Sequence, residues 1–370
     1  MRVLFVANDP NLLVESSFVF TRMQEYAQAI GTLHIITASK VERTISSGPL
    51  TIHAVRCGRL TRVRALAQAA QAIILKEGIE VVSAQDPFEH GLAALRAVSN
   101  TSGKLHVQIH TDFLSPEFVR ATRFPMSLLN WLRQHMAGRV LCSAAGIRVV
   151  SHRIKDSLIE RYGTHIPAVT VIPISVSTLL PQPSPLPPHS FTFSLITVGR
   201  IESEKRVEDI VKALSILRTE CPTVGLVVVG EGRALPGVRR LAQKLGLTDR
   251  VVYTGSWSKD AWGMIRSSDA YIQSSAYEGY GRTLVEAALA GIPVITTDVG
   301  IVGEVFTGKG DALIAPVRSP ESLAIHIRTL VSSSEVAQQV GSAGKSAVTK
   351  HLAETDSSAA SIAADLSRLV

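Results

Sequence analysis

Short apolar, β-branched runs alternate with longer helix-like stretches along almost the whole chain. In the first half the runs are RVLFVA (2–7), LHIITA (33–38), IEVVSA (79–84), LHVQIH (105–110), IRVVS (147–151) and VTVIP (169–173), with stretches such as HRIKDSLIERYG between them. Parallel strands need long crossovers, so this alternation predicts a parallel sheet with helices on both faces. The pattern breaks once, at LLPQPSPLPPHSF (179–191), where Pro181, Pro183, Pro185, Pro187 and Pro188 follow Pro173. Their fixed φ angles predict a stiff linker. The alternation then restarts with FSLITVG (193–199), GLVVVG (225–230), RVVYTG (250–255), DAYIQSS (269–275), PVITTD (293–298) and ALIAP (312–316).

Two such halves predict two Rossmann-like, doubly wound α/β domains, 1–180 and 193–350, joined by residues 181–192 and leaving a ligand cleft at the carboxyl ends of their strands. The length of 370 residues suits two domains at about 100–200 residues each. No apolar run approaches the ~18 residues of a membrane span. The opening MRVLFVANDP is too short for a signal-peptide core, and reads as the first buried strand of a cytoplasmic protein. Cys57, Cys142 and Cys221 are odd in number and widely spaced, so neither a disulfide framework nor a zinc knuckle is expected.

The net charge of +7 is one-sided. Residues 1–180 hold 19 Lys and Arg against 12 Asp and Glu, and the remainder is balanced. Between Phe118 and Lys155 stand Arg120, Arg123, Arg133, Arg139, Arg148, Arg153 and Lys155 with no acidic residue, interleaved with Phe118, Phe124, Met126, Leu128, Leu129, Trp131 and Leu132. A basic amphipathic face of this kind can dock on an anionic membrane. It can equally be a core helix with a solvated basic side, and the same features can serve nucleic acid.

Three stretches of the second half carry candidate chemistry. In TVGRIESEKR (197–206), Gly199 permits a tight turn, and Arg200, Lys205 and Arg206 gather before a helix, where cations oppose the dipole unless an anion meets them. In VVVGEGRALPG (227–237), Gly230 and Gly232 allow a ligand ring or another backbone to come close, while the spacing departs from G-x-G-x-x-G and disfavours a nicotinamide enzyme. In SSAYEGYGRTLVEAALAGIPVITTD (274–298), Glu278 lies in a glycine-flanked loop, and Glu286 lies in the early turns of the next helix. The two carboxylates could form an acid/base pair, yet beside a helix N-terminus they suit hydrogen bonds from sugar hydroxyls better. In the first half, His106, His110 and Asp112 surround a strand's carboxyl end, and nothing at metal-ligand spacing accompanies them.

Several motifs together resemble the retaining glycosyltransferases of family 4, of the glycogen-synthase and phosphatidylinositol-mannosyltransferase superfamily. They are V-G-R-x-x-x-x-K ending at Lys205, V-V-G-x-G at Val228–Gly232, E-G-Y-G-x-x-x-x-E at Glu278–Glu286, Gly291-x-Pro293-Val294, Thr297-Asp298 and Gly303-Glu304. QIHTDF, SAQDP, GIRVVS and VIP are similar to the same family less sharply. The sequence departs from many relatives at Asn8-Asp9-Pro10-Asn11, in place of a Gly-Gly loop, and at Ile174-Ser175, in place of Asn-Gly.

The resemblance implies a GT-B architecture, its two domains facing each other across a cleft, with a C-terminal helix (351–370) crossing back to the acceptor-binding first domain. It also implies metal-independent hexosyl transfer, with retention, from a UDP- or GDP-sugar to a saccharide or lipid-linked acceptor, and no further cofactor. In that reading Arg200 and Lys205 hold the diphosphate, Glu278 accepts from the sugar hydroxyls, and Glu286 holds the ribose. Gly199, Gly230, Gly232, Gly279, Tyr280, Gly281 and Leu284 complete the donor side. His110 lies near the reacting face, and Asn8, Asp9 and Asp112 are acceptor-side. The enzyme would be cytoplasmic, peripheral on the inner membrane face where the basic half docks, with no dedicated nucleic-acid partner. A sugar-nucleotide epimerase and a non-enzymatic basic nucleotide- or nucleic-acid-binding module are the alternatives.

Overall fold

The computed structural model describes residues 1–122, 124–255 and 261–370. The chain divides into two compact units, the first made of Met1–Leu114, Leu128–Pro173 and Asp356–Val370, the second of Ser115–Ser127 and Ile174–Thr355.

Among its described residues the first unit holds an eight-stranded sheet. Its strands are β1 (Arg2–Ala7), β2 (Thr32–Ser39), β3 (Arg43–Ser47), β4 (Leu50–Arg56), β5 (Val81–Ala84), β6 (Lys104–Ile109), β7 (Gly146–Val149) and β8 (Val169–Val171), in the order β3-β4-β2-β1-β5-β6-β7-β8. Only β3 pairs antiparallel, against β4. This hairpin lies outside the strands expected from sequence, for a physical reason. Strands covered on both faces read as continuous apolar runs, whereas β4 alternates buried Leu50, Ile52 and Ala54 with partly exposed neighbours, and β3 (RTISS) is a largely exposed edge. The antiparallel edge strand caps an otherwise parallel sheet.

The last helix of the chain, Ala359–Ser367, belongs to this unit. It packs on helix Phe18–Ile30, with Ile362 and Leu366 in one core with Phe20, Met23 and Ala27. A buried polar chain pins it to the sheet. His106 Nε2 lies 3.2 Å from Asp365 Oδ2, and its Nδ1 lies 2.9 Å from Ser83 Oγ. Gln108 Nε2 donates to Ser83 Oγ, and Arg148 Nη1 donates to Gln108 Oε1 at 2.7 Å. Each buried polar group thereby meets a partner, which removes the cost of burying it.

The second unit, again among its described residues, is a six-stranded parallel sheet of β9 (Phe193–Val198), β10 (Val224–Val229), β11 (Val251–Tyr253), β12 (Ala270–Gln273), β13 (Val294–Thr297) and β14 (Leu313–Ala315). All six coincide with apolar runs named from the sequence. The order β11-β10-β9-β12-β13-β14 reverses direction between β9 and β12. Crossovers from these two strands leave toward opposite sides, so a crevice opens at their carboxyl ends. Helices Val207–Ile216 and Pro320–Ser332 share one core, through Ile210, Val211 and Leu214 on the first and Leu323, Ile327 and Leu330 on the second.

Residues 172–192 form no helix or strand, but they are not a free spacer. The Pro181 carbonyl accepts from the Arg266 guanidinium, and Ser184 lies so close to Gly263 that a Cβ there would be 2.3 Å from the Ser184 hydroxyl oxygen. Among the described residues no helix is long and apolar enough to cross a membrane.

Candidate functional site

The crevice between β9 and β12 is lined by Thr197, Gly199, Arg200, Lys205, Tyr271, Gln273, Ser275 and their immediate neighbours. The loop after β9 that lines it is joined backbone to backbone to the loop after β10. Gly199 N donates to Val229 O at 3.0 Å, and Ile201 N donates to Glu231 O at 2.8 Å. A Cβ at Gly230 would sit 1.9 Å from the Gly199 carbonyl oxygen, and one at Gly232 would sit 2.2 Å from that of Ile201. These glycines therefore admit another backbone, one of the two uses their spacing suggested, and so hold Gly199 and Arg200 at the strand end. Pro236 opens helix Leu235–Lys244 at a position where its missing N–H costs nothing.

The three cations of 200–206 have different fates. Arg200 is exposed at the crevice. Lys205 Nζ donates to Glu278 Oε1 at 2.5 Å. Arg206 has an internal counter-charge as well. It stands in the left-handed region (φ 50°), and its guanidinium donates twice to the buried carboxylate of Asp209, at 2.6 and 2.9 Å. Asp209 lies in the first turn of helix Val207–Ile216, where an anion favours the dipole, so this helix carries its own counter-charge. Ser274 Oγ donates to the carbonyls of Lys205 and Arg206, each at 2.9 Å, and ties the cation loop to the end of β12.

Glu278 is oriented from two sides, accepting from Ser275 Oγ at 2.7 Å as well as from Lys205. Helix Arg282–Leu289 begins after Gly281, at φ 95°. Glu286, the fifth helical residue, is 5% exposed and accepts from Arg282 Nε at 2.8 Å. Burial raises its pKa, against the opposing pull of Arg282. Glu278 and Glu286 thus occupy distinct environments, one bridged to Lys205 at the crevice, the other buried along the helix. Tyr280 is a core residue whose hydroxyl lies 3.1 Å from His351 Nε2 and whose carbonyl accepts from Ile301 N at 3.1 Å. The amide of Leu284 already donates to the Gly281 carbonyl at 3.0 Å, and the Leu284 side chain is buried. Gly279 lies in the loop between Glu278 and Tyr280.

Gln273 belongs to the crevice although sequence reasoning passed it over. Its signal was a single amide in an otherwise apolar strand, AYIQ. Its Oε1 lies 3.3 Å from the Tyr271 hydroxyl, whose oxygen is also 2.8 Å from Thr283 Oγ1.

In the first unit His110 follows β6. Its Nε2 is buried with no hydrogen-bond partner among the described residues, and burial lowers its pKa to about 3, helped by the positive charges of Arg148 and Arg22. Asp112 is buried, Asn8 is exposed after β1, and Asp9 caps the following turn by accepting from Asn11 N at 2.9 Å. Two members of the basic run of 118–155 are used internally. Arg148 belongs to the buried chain, and Arg133 pairs with Glu89 at 2.8 Å. Arg139 is exposed on helix Met126–Cys142 with Leu128, Trp131 and Leu132, Arg120 and Phe124 are exposed in the second unit, and Arg123 lies outside the described residues.

Fold and site together define a twin-sheet, doubly wound α/β protein whose switch-point crevice is edged by cations. Residues 189–347 match the family model "Glycosyl transferases group 1", and residues 24–178 match "Glycosyltransferase Family 4". The glycogen synthase of Mycobacterium tuberculosis is 28% identical over 222 residues, covering 60% of this chain and 51% of that protein. The lipopolysaccharide 1,6-galactosyltransferase of Salmonella typhimurium is 29% identical over 177 residues, covering 43% of this chain and 47% of that one. The chain thus spans about half the length of these curated relatives. Among solved structures, the sucrose-phosphate synthase of Thermosynechococcus elongatus superposes with a TM-score of 0.78 at 18% identity, covering 95% of this chain and 94% of that one. Anabaena Alr3699/HepE in complex with UDP-glucose superposes with a TM-score of 0.73 at 17% identity, covering 100% of this chain and 98% of that one. The chain belongs to the group 1 and family 4 glycosyltransferases, with the GT-B fold.

Proposed function

We propose that this glycosyltransferase moves a hexosyl residue from a nucleoside-diphosphate sugar, with a UDP- or GDP-type donor, to a saccharide or lipid-linked acceptor, with retention and without an obligatory metal. The observation that carries the reading is the convergence of Arg200 and Lys205 on the β9–β12 crevice, with Glu278 gripping Lys205 from the loop after β12. In transfer from such a donor, negative charge builds on the departing diphosphate. Cations placed beforehand, and a helix N-terminus, lower the barrier because they need no reorganisation as that charge appears. Arg200, Lys205 and the start of helix Arg282–Leu289 take that role. When donor binds, Lys205 passes from Glu278 to a phosphate oxygen, and Glu278 turns its lone pairs to the sugar hydroxyls. Glu286 accepts from the ribose. His110, neutral at physiological pH, serves as a hydrogen-bonding group rather than as an imidazolium acid. The Anabaena protein in complex with UDP-glucose is consistent with the donor class. Arg139 and the exposed Leu128, Trp131 and Leu132 of the same helix are the groups that would meet an anionic membrane.

The test is a panel of UDP- and GDP-sugars screened by thermal shift, followed by NMR of the product. Stabilisation by one donor, its turnover, and a product with the donor's anomeric configuration are expected. An inverted product would end the retention reading. Free epimer without acceptor would mark an epimerase, and protection by nucleic acid alone would end the transferase reading.

A further inference from the structure

Gln273 ends β12 at the crevice, is 4% exposed, and lies on one face of the strand with Tyr271. Its Oε1 faces the Tyr271 hydroxyl, whereas its Nε2 is buried with no hydrogen-bond partner among the described residues. An unpaired buried amide is costly, and such groups are rare unless something else completes them. Nε2 lies 4.0 Å from the place a Cβ would occupy on Gly281, the residue that opens helix Arg282–Leu289. The unpaired amide therefore lies beside a helix N-terminus, which attracts anions through its own N–H groups and dipole. Arg200 and Lys205 line the same crevice. A group between them must accept hydrogen bonds and carry negative charge.

We infer that Gln273 is a donor-binding residue whose amide N–H is reserved for a phosphate oxygen of the nucleoside diphosphate at the start of helix Arg282–Leu289. This rests on the donor-binding reading above and adds to it a contact that reads the phosphate and not the sugar. Tyr271 sets the amide's orientation by occupying Oε1, and Thr283 in turn holds the Tyr271 hydroxyl. A charge-assisted bond of this kind is worth about tenfold or more in affinity.

The experiment is calorimetric titration of the wild type, Gln273→Met and Gln273→Glu with UDP and GDP, and with the matching nucleoside-diphosphate glucose, alongside ligand-free melting temperatures. Gln273→Met keeps the volume and removes the unpaired amide, so the ligand-free protein should melt at the wild-type temperature or above. Its affinity for the preferred nucleoside diphosphate should fall about tenfold, and equally for the sugar-loaded form. Gln273→Glu should bind more weakly still. A lower melting temperature with unchanged affinity would make Gln273 a structural residue and overturn the inference. So would a loss confined to the sugar-loaded ligand, which would move the contact to the sugar. A wild type that binds the diphosphates while both variants bind equally well would overturn the inference alone. A wild type that binds neither would overturn the donor-site reading with it.

Discussion

Lys205 Nζ and Glu278 Oε1 lie 2.5 Å apart, joining the loop after β9 to the loop after β12 across the point where the sheet order reverses. Both side chains are largely buried, at 25% and 14% exposure, so neither keeps full hydration. The pair holds a cation in place before any anion arrives. It also fixes the carboxylate that faces that cation.

Glu278→Gln should therefore lower turnover of the preferred nucleotide sugar about 10²- to 10³-fold, the size of losing one preorganised electrostatic contact. The melting temperature should change little, because Gln still accepts from Ser275 and Lys205 can reach solvent. Steady-state kinetics beside a melting curve check this. Activity within a few-fold of wild type would remove Glu278 from the donor contacts.

Glu286 supplies a pH signature. Its pKa is raised by burial, so its carboxylate protonates above the usual Glu range. Protonation removes an acceptor for ribose hydroxyls, so nucleoside-diphosphate affinity should fall on acidification through that raised value, and Glu286→Gln should lack this limb. Stability moves the other way. A raised folded-state pKa contributes stability that is present below the unfolded value and lost as pH rises through the folded one. Calorimetric affinity and thermal melting across pH 4–8 should thus run in opposite directions where Glu286 titrates.

His110 acts in the opposite sense. Its folded-state pKa, about 3, lies below that of an exposed histidine. Its contribution is present above the unfolded value near 6.5 and is lost as pH falls toward 3. The midpoint of denaturant unfolding should drop on acidification below about pH 6.5, and His110→Gln should make the drop shallower. An unchanged slope would mean that the imidazole is protonated in the folded protein.

Gly230→Ala should fail structurally. Its Cβ would lie 1.9 Å from the Gly199 carbonyl oxygen, and the residue stands at φ 130°. The two crevice loops would have to separate, costing at least about 1–3 kcal/mol from backbone strain alone. Loss of nucleotide binding should accompany the lower midpoint of chemical unfolding. A variant that folds and binds like wild type would show that the loops are not so constrained.

The second unit was legible because its four central strands, β9, β10, β12 and β13, are buried almost throughout and write continuous apolar runs, as in GLVVVG. The hairpin β3–β4 was not, since its edge strand buries too little to leave such a run. Lys205, Glu278 and Glu286 could be picked out because charged residues among glycines and small side chains have no packing reason to be there. Their different partners could not. That Arg206 is claimed by Asp209 three residues on, and Lys205 by Glu278 seventy-three residues away, depends on backbone angles and strand order. Arg148 shows the converse. In the sequence it is one of a basic run, and in the fold it donates to Gln108 and to the carbonyls of Ile172 and Pro173 inside the first unit.

The central claim, a cationic donor site at the β9–β12 switch point, is tested most directly by titrating UDP and GDP into the wild type and Lys205→Ala by calorimetry. The wild type should bind one of the two, and the variant should bind it at least about tenfold more weakly, the loss expected for a charge-assisted phosphate contact. Equal affinities in the two proteins, or no binding by the folded wild type, would contradict it.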